Sequence, residues 1–127
     1  MNDITDRRLN RRSIADLNQN KGAIEVEING KTFPVLGSKN ISISGMDIQA
    51  QQAAIPAADV RLLFKTPDLA LTVKGQVAWC ATPAFQQQTQ HTPPSDAFSM
   101  GIEFDPSTMK ENSLLFLALR QYVDKFE

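Results

Sequence analysis

Ala23-Ile24-Glu25-Val26-Glu27-Ile28-Asn29-Gly30-Lys31-Thr32-Phe33-Pro34 is the stretch on which the fold turns. Apolar residues at 24, 26 and 28 alternate with glutamates, the period-two pattern of a strand with one buried face. Asn29-Gly30 supplies the two residues that best tolerate positive φ, which a type I′ hairpin turn requires at both central positions. The spacing predicts a β-hairpin over 23–28 and 31–36, and hence a fold built from antiparallel strands. Pro34 has no N–H to donate, so the second strand is expected to be an edge or bulged at that point.

The same period continues outward from the hairpin. Met46 to Ala50, Ala58 to Phe64, Leu69 to Trp79 and Phe98 to Phe104 each alternate, and Gly75 is expected to mark a bulge or bend. Trp79 shares the parity of Val73 and Val77, which assigns it to the core or barrel wall rather than to a ligand site. Thr82 to Ala97 holds Pro83, Pro93, Pro94 and Gln86-Gln87-Gln88 and reads as an exposed loop. Asp105-Pro106 reads as a helix N-cap and first helical residue. In the helix that follows, Leu115, Leu119, Tyr122 and Phe126 recur on one face, which Met109, Leu114, Ala118 and Val123 broaden. Short antiparallel strands and one amphipathic helix predict a β-dominated barrel or sandwich that the helix plugs or flanks.

A length of 127 residues fits one domain. Residues 1–20 read as a flexible polar arm and 21–127 as the β domain with its helix. A net charge of −1 disfavours a surface that grips nucleic acid throughout. Cys80 is the single cysteine, which excludes an internal disulfide and a cysteine-based zinc site and fits a reducing compartment, most simply the cytoplasm. No apolar run reaches the roughly 20 residues of a membrane-spanning helix, so a soluble chain without membrane insertion is expected. His91 has no neighbouring ligand cluster, and no Ser/His/Asp set, paired-carboxylate site or glycine-rich phosphate loop is present. The expectation is a non-enzymatic protein with neither metal nor cofactor.

Two features carry chemistry. Four of the six arginines fall in Arg7-Arg8-Leu9-Asn10-Arg11-Arg12, and Asn40-Ile41-Ser42-Ile43-Ser44-Gly45 follows the hairpin. A guanidinium is a planar fork of donors suited to phosphate oxygens and to the O6/N7 edge of guanine. Asn40 offers amide donors and a carbonyl acceptor, the Ser42 hydroxyl does either job, and Gly45 permits close approach of a ligand. A ligand bearing both phosphate and guanine would match. Taken singly, an arginine cluster is most often a solvated segment and an Asn/Ser/Gly string an ordinary turn.

Taken in order, these features resemble a PilZ domain. Arg7-Arg8-Leu9-Asn10-Arg11 is similar to the family's RxxxR and Asn40 to Gly45 to its [D/N]xSxxG turn. Val73-Lys74-Gly75-Gln76-Val77-Ala78-Trp79 and Met100-Gly101-Ile102-Glu103-Phe104 are similar to its late strands. The resemblance implies a six-stranded antiparallel β-barrel with a C-terminal helix. It also implies a non-enzymatic receptor that holds cyclic di-GMP between the arginine arm and the outer barrel surface. Arg7 and Arg11 would be the RxxxR pair and Arg8 an extra contact, while Arg8 with Arg12 satisfies the same spacing. Asn40 stands where Asp is commoner, which removes a negative charge beside the arginines, and Ser44 where glycine is frequent.

As a stand-alone member, such a receptor would act in trans on an effector of motility, adhesion, exopolysaccharide or virulence machinery. The alternative is a PilZ-like protein-interaction adaptor that does not bind nucleotide. A barrel for single-stranded nucleic acid is disfavoured by nine aromatics and balanced charge.

Overall fold

The hairpin is present. In the computed structural model, which describes residues 13–17, 21–82, 97–123 and 125–126, β1 (Ala23–Ile28) and β2 (Lys31–Pro34) pair antiparallel with Ile28 opposite Lys31. Asn29 and Gly30 take φ of 54° and 82°, as a type I′ turn needs. Pro34 lies on an edge strand, where its missing donor costs no ladder bond.

Six further strands follow: β3 (Asn40–Ser42), β4 (Gly45–Ala50), β5 (Asp59–Thr66), β6 (Leu69–Ala81), β7 (Phe98–Phe104) and β8 (Lys125–Phe126). They form one sheet in the order β2-β1-β5-β6-β7-β4-β3-β8, antiparallel throughout except for the terminal β3–β8 pair. Beyond the six strands expected, the sheet gains short pieces, β3 of three residues and β8 of two. The strand order is open, but residues 35–37 tie its flanks together. Val35 N–H donates to Ile24 in β1, while Leu36 N–H and Gly37 C=O bond Gln49 in β4. The result is the β-dominated, barrel-like fold with a C-terminal helix that the sequence implies.

Burial follows the period-two pattern. Ile24, Val26 and Ile28, then Val60, Leu62 and Phe64, then Met46, Ile48 and Ala50, and Met100, Ile102 and Phe104 all point into one core. Gly75 is not a bulge: it stays in register opposite Phe104. A β-carbon there would sit 2.7 Å from Ile102 Cγ2, so the glycine makes room for β7. The irregularity falls later in β6, between Val77 and Trp79.

The helix is shorter than its sequence stripe. Asp105-Pro106 opens a 3₁₀ turn (Pro106–Thr108), the α-helix runs Met109–Leu119, and a second 3₁₀ turn (Arg120–Tyr122) leads to extended Val123. Leu115, Leu119, Tyr122 and Val123 are buried, whereas Met109 and Leu114 are exposed. Phe126 belongs to β8, because the chain leaves the helix to pair with β3. A polar knot fastens the helix start. Asn112, 1% exposed, donates from Nδ2 to Asp105 C=O (3.0 Å) and accepts from Thr108 Oγ1 (2.8 Å). The Asp105 carboxylate accepts from Ser107 N–H (2.9 Å), a bond that holds its pKa below the usual 3.8.

Within the stretch read as an arm, Ile14–Leu17 forms one helical turn whose Ile14 and Leu17 join the core. Asp16 accepts from Ser13 N–H at 2.8 Å, closing the turn's start. One apolar pair at i, i+3 is too short a signal to mark a helix in sequence. The proline- and glutamine-rich loop reading falls largely on 83–96, outside the described residues, as does His91.

Replacing Asn112 with Ala removes two hydrogen bonds at a buried position, to the Asp105 carbonyl and from the Thr108 hydroxyl, and is expected to cost about 1–3 kcal/mol in denaturant unfolding. Because the Asp105 pKa is depressed in the folded state, its contribution is present above its ordinary value and lost as pH falls through the folded one. The stability gap between wild type and Asp105→Ala should therefore be larger at neutral pH than in acid.

Candidate functional site

The outer face of β4, β7 and β6 carries two adjacent rows of cross-strand neighbours. Asp47 faces Gly101, which faces Trp79; Gly45 faces Glu103, which faces Gln76. The β3–β4 turn rises beside them. Together they enclose an open cleft of about 420 Å³, bounded by Asn40, Ser42 and Ser44 from the turn side and by Asp47, Glu103 and Trp79 from the sheet. The glycines leave the floor without side chains. At Gly45 an added β-carbon would come within 2.5 Å of Ile102 C=O, so close packing of β4 on β7 demands glycine. The residue type is expected to permit a tight backbone as well as close approach of a ligand; among the described glycines only Gly30 has positive φ, so at Gly45 it is the close approach of the neighbouring strand that requires glycine.

Asp47 organises the turn, and nothing in the sequence pattern singles it out. Its Oδ1 accepts from Lys39 N–H (2.7 Å), Asn40 N–H (3.2 Å) and Ser38 Oγ (3.2 Å), and its Oδ2 accepts from Asn40 Nδ2 (3.1 Å). A carboxylate can only accept, so Asn40 must turn its NH₂ toward Asp47 and keep its carbonyl oxygen for other donors. The negative charge that Asn40 seemed to remove is thus restored by Asp47 on the neighbouring strand. Ser42 is committed to the turn itself: its Oγ accepts from Ser44 N–H (3.2 Å), lies 3.0 Å from Ser44 Oγ and donates to Gly45 C=O (3.4 Å).

Trp79 is not a core residue. It is 47% exposed, whereas Val77 is 2% exposed. Val77 pairs with Ile102 and Trp79 with Gly101, so one extra residue, Ala78, is accommodated on β6 and the parity beyond it is inverted. The indole lies over Gly101, where a β-carbon would meet ring atoms Cε2 and Cδ1 at 2.7 and 2.9 Å. Sequence parity assumes an unbroken ladder, and a single-residue insertion defeats it.

The structure therefore brings Asn40, Ser42 and Gly45 to one cleft, and adds Asp47, Trp79 and Glu103 to them. Arg7, Arg8, Arg11 and Arg12 lie outside the described residues. The described cleft walls hold two carboxylates and no cation. They suit donors, such as a guanidinium or the N–H edge of a purine, and provide nothing to neutralise a phosphate.

A comparison with family models matches the PilZ domain over residues 6–121 of the 127. The chain belongs to the PilZ domain family. PilZ domains are a cyclic di-GMP-binding family of binding and adaptor modules that act through effector proteins. The match spans both the arginine segment and the Asn40 to Gly45 turn. No curated protein matches the chain. Among the described residues of this PilZ domain, no His/Cys/Asp/Glu cluster could hold a metal, and no helix is long and apolar enough to cross a membrane.

Asn40→Asp would set two carboxylates about 3 Å apart in place of the present hydrogen bond. The expected loss is on the order of 1 kcal/mol at neutral pH. Urea unfolding of wild type and variant at neutral pH reads the difference.

Proposed function

We propose that this PilZ domain is a receptor for cyclic di-GMP, with the nucleotide held between the Arg7 to Arg12 segment and the cleft formed by Asn40, Ser42 and Gly45. The observation that carries the reading is the charge character of the cleft. Its described walls are rich in acceptors and lack cations, while four of the chain's six arginines sit in one segment, which the family match also covers. A ligand with two phosphates and two guanines needs both halves. Arg7 and Arg11, with Arg8 and Arg12 beside them, take phosphate oxygens and the guanine O6/N7 edge. The Asn40 carbonyl and Glu103 face the donor edge of a base or the guanidinium groups themselves.

The reading requires no catalysis and no cofactor. Neutralising the arginines by ligand changes the surface beside the cleft, and that changed surface is the signal to an effector in trans. A cytoplasmic setting in a bacterium fits, with motility, adhesion, exopolysaccharide or virulence machinery as the downstream target.

Calorimetric titration with cyclic di-GMP, with GMP as control, tests the assignment. Each charge-assisted contact is worth about 1.5–3 kcal/mol, so a folded Arg7→Ala/Arg11→Ala variant should bind at least a hundredfold more weakly. Unchanged affinity in that variant would refute the arginine assignment. Absence of binding by the wild type would leave the nucleotide-independent adaptor as the function.

A further inference from the structure

Asp47 lies two residues beyond the Asn40–Gly45 motif and outside it, on β4 opposite Gly101. Its neighbours Met46 and Ile48 are buried, so its carboxylate stands on the outer face, in the wall of the cleft. The two oxygens do different work. Oδ1 gathers Lys39 N–H, Asn40 N–H and the Ser38 hydroxyl, which shapes the backbone entering β3. Oδ2 takes the Asn40 side-chain NH₂ at 3.1 Å.

An asparagine amide is nearly symmetric in shape and opposite in chemistry at its two ends, so which end meets a ligand is decided by what holds the other. A carboxylate cannot donate, and a reversed Asn40 would set its carbonyl oxygen against Asp47 Oδ2. The amide is therefore locked with its acceptor end free. Glu103 brings a second acceptor to the same cleft. The Watson–Crick edge of guanine carries two adjacent donors, N1–H and N2–H₂, whereas that of adenine carries N6–H₂ beside an N1 acceptor. A wall of acceptors accordingly favours guanine and meets a lone pair of adenine with another.

We propose that Asp47 is a positioning residue for base selection: by holding the Asn40 amide through Oδ2 it fixes an acceptor in the cleft and makes the site select guanine over adenine. The inference rests on the cyclic di-GMP reading above and deepens it, assigning specificity to a residue outside both the arginine and the Asn40–Gly45 motifs. It also says what a single atom does. Asp47→Asn keeps an oxygen for the Lys39, Asn40 and Ser38 donors but puts an NH₂ where Oδ2 was, so Asn40 must reverse and turn its own NH₂ to the cleft.

Calorimetry with cyclic di-GMP and cyclic di-AMP is run on the full chain as wild type, Asp47→Asn, Asn40→Ala and the double variant. The wild type is expected to prefer the guanine nucleotide by about a hundredfold or more. Asp47→Asn should bind cyclic di-GMP about tenfold more weakly and narrow that preference by about tenfold or more. In the Asn40→Ala background the same change should alter affinity by less than about twofold, because Asp47 acts through Asn40. A merely loosened turn would weaken both nucleotides alike and would persist without the Asn40 side chain. Additive effects of the two substitutions therefore overturn the proposal and leave the receptor reading intact. An unchanged preference in a folded Asp47→Asn variant overturns it too, and equal affinity of the wild type for the two nucleotides does so whatever the variants do. No binding of cyclic di-GMP by the wild type overturns the receptor reading and this inference together.

Discussion

Cross-strand register between β6 and β7 is the constraint on which the rest of this structure depends. From Gly75 to Val77 the pairing puts Val77 opposite Ile102, with both side chains in the core. Because side chains alternate with a period of two, a slip of one residue exchanges the inner and outer faces of everything beyond it. Here such a slip is built in between Val77 and Trp79. It delivers an aromatic residue to the outer wall, opposite Gly101 and in line with Asp47. Had the ladder continued unbroken, the core would have had to accept an indole, and the cleft would lack that wall.

The second organising element is a charge. Asp47 gathers the backbone N–H groups of Lys39 and Asn40, the Ser38 hydroxyl and the Asn40 amide around one carboxylate. Since a carboxylate only accepts, this arrangement sets which way Asn40 faces and explains why an amide suits position 40 better than a second acid. The cleft is consequently negative and acceptor-rich on its described walls. An anionic ligand can enter it only in company with cations, and the arginine segment at the head of the chain is where the sequence concentrates them.

Much of this is legible in the amino-acid sequence. The hairpin at Asn29-Gly30 follows from the two residue types that accept positive φ, and the alternation in β1, β4 and β5 marks which residues are buried, because their ladders run without interruption. The polar turn Asn40 to Gly45 could be recognised as a motif. What was misread has a common cause. Parity assigns Trp79 to the core or barrel wall and Gly75 reads as a bulge or bend, yet the irregularity lies between Val77 and Trp79, where no glycine announces it. Phe126 continues a helical stripe in sequence but pairs as a strand with β3. Ile14 and Leu17 show no periodicity long enough to notice, yet are held in the core by the packing of the rest. Each depends on partners far away in the chain.

The amino-acid sequence by itself determined the family, the antiparallel strands and their inward faces, and the arginine and Asn40–Gly45 segments, because propensity, alternation and turn chemistry act over neighbouring residues. Only the tertiary structure decided that Asp47, Glu103 and Trp79 stand around that turn. Their meeting is set by backbone hydrogen bonds among β4, β6 and β7, strands well separated in sequence, and by one extra residue in the β6 ladder, which no local pattern records.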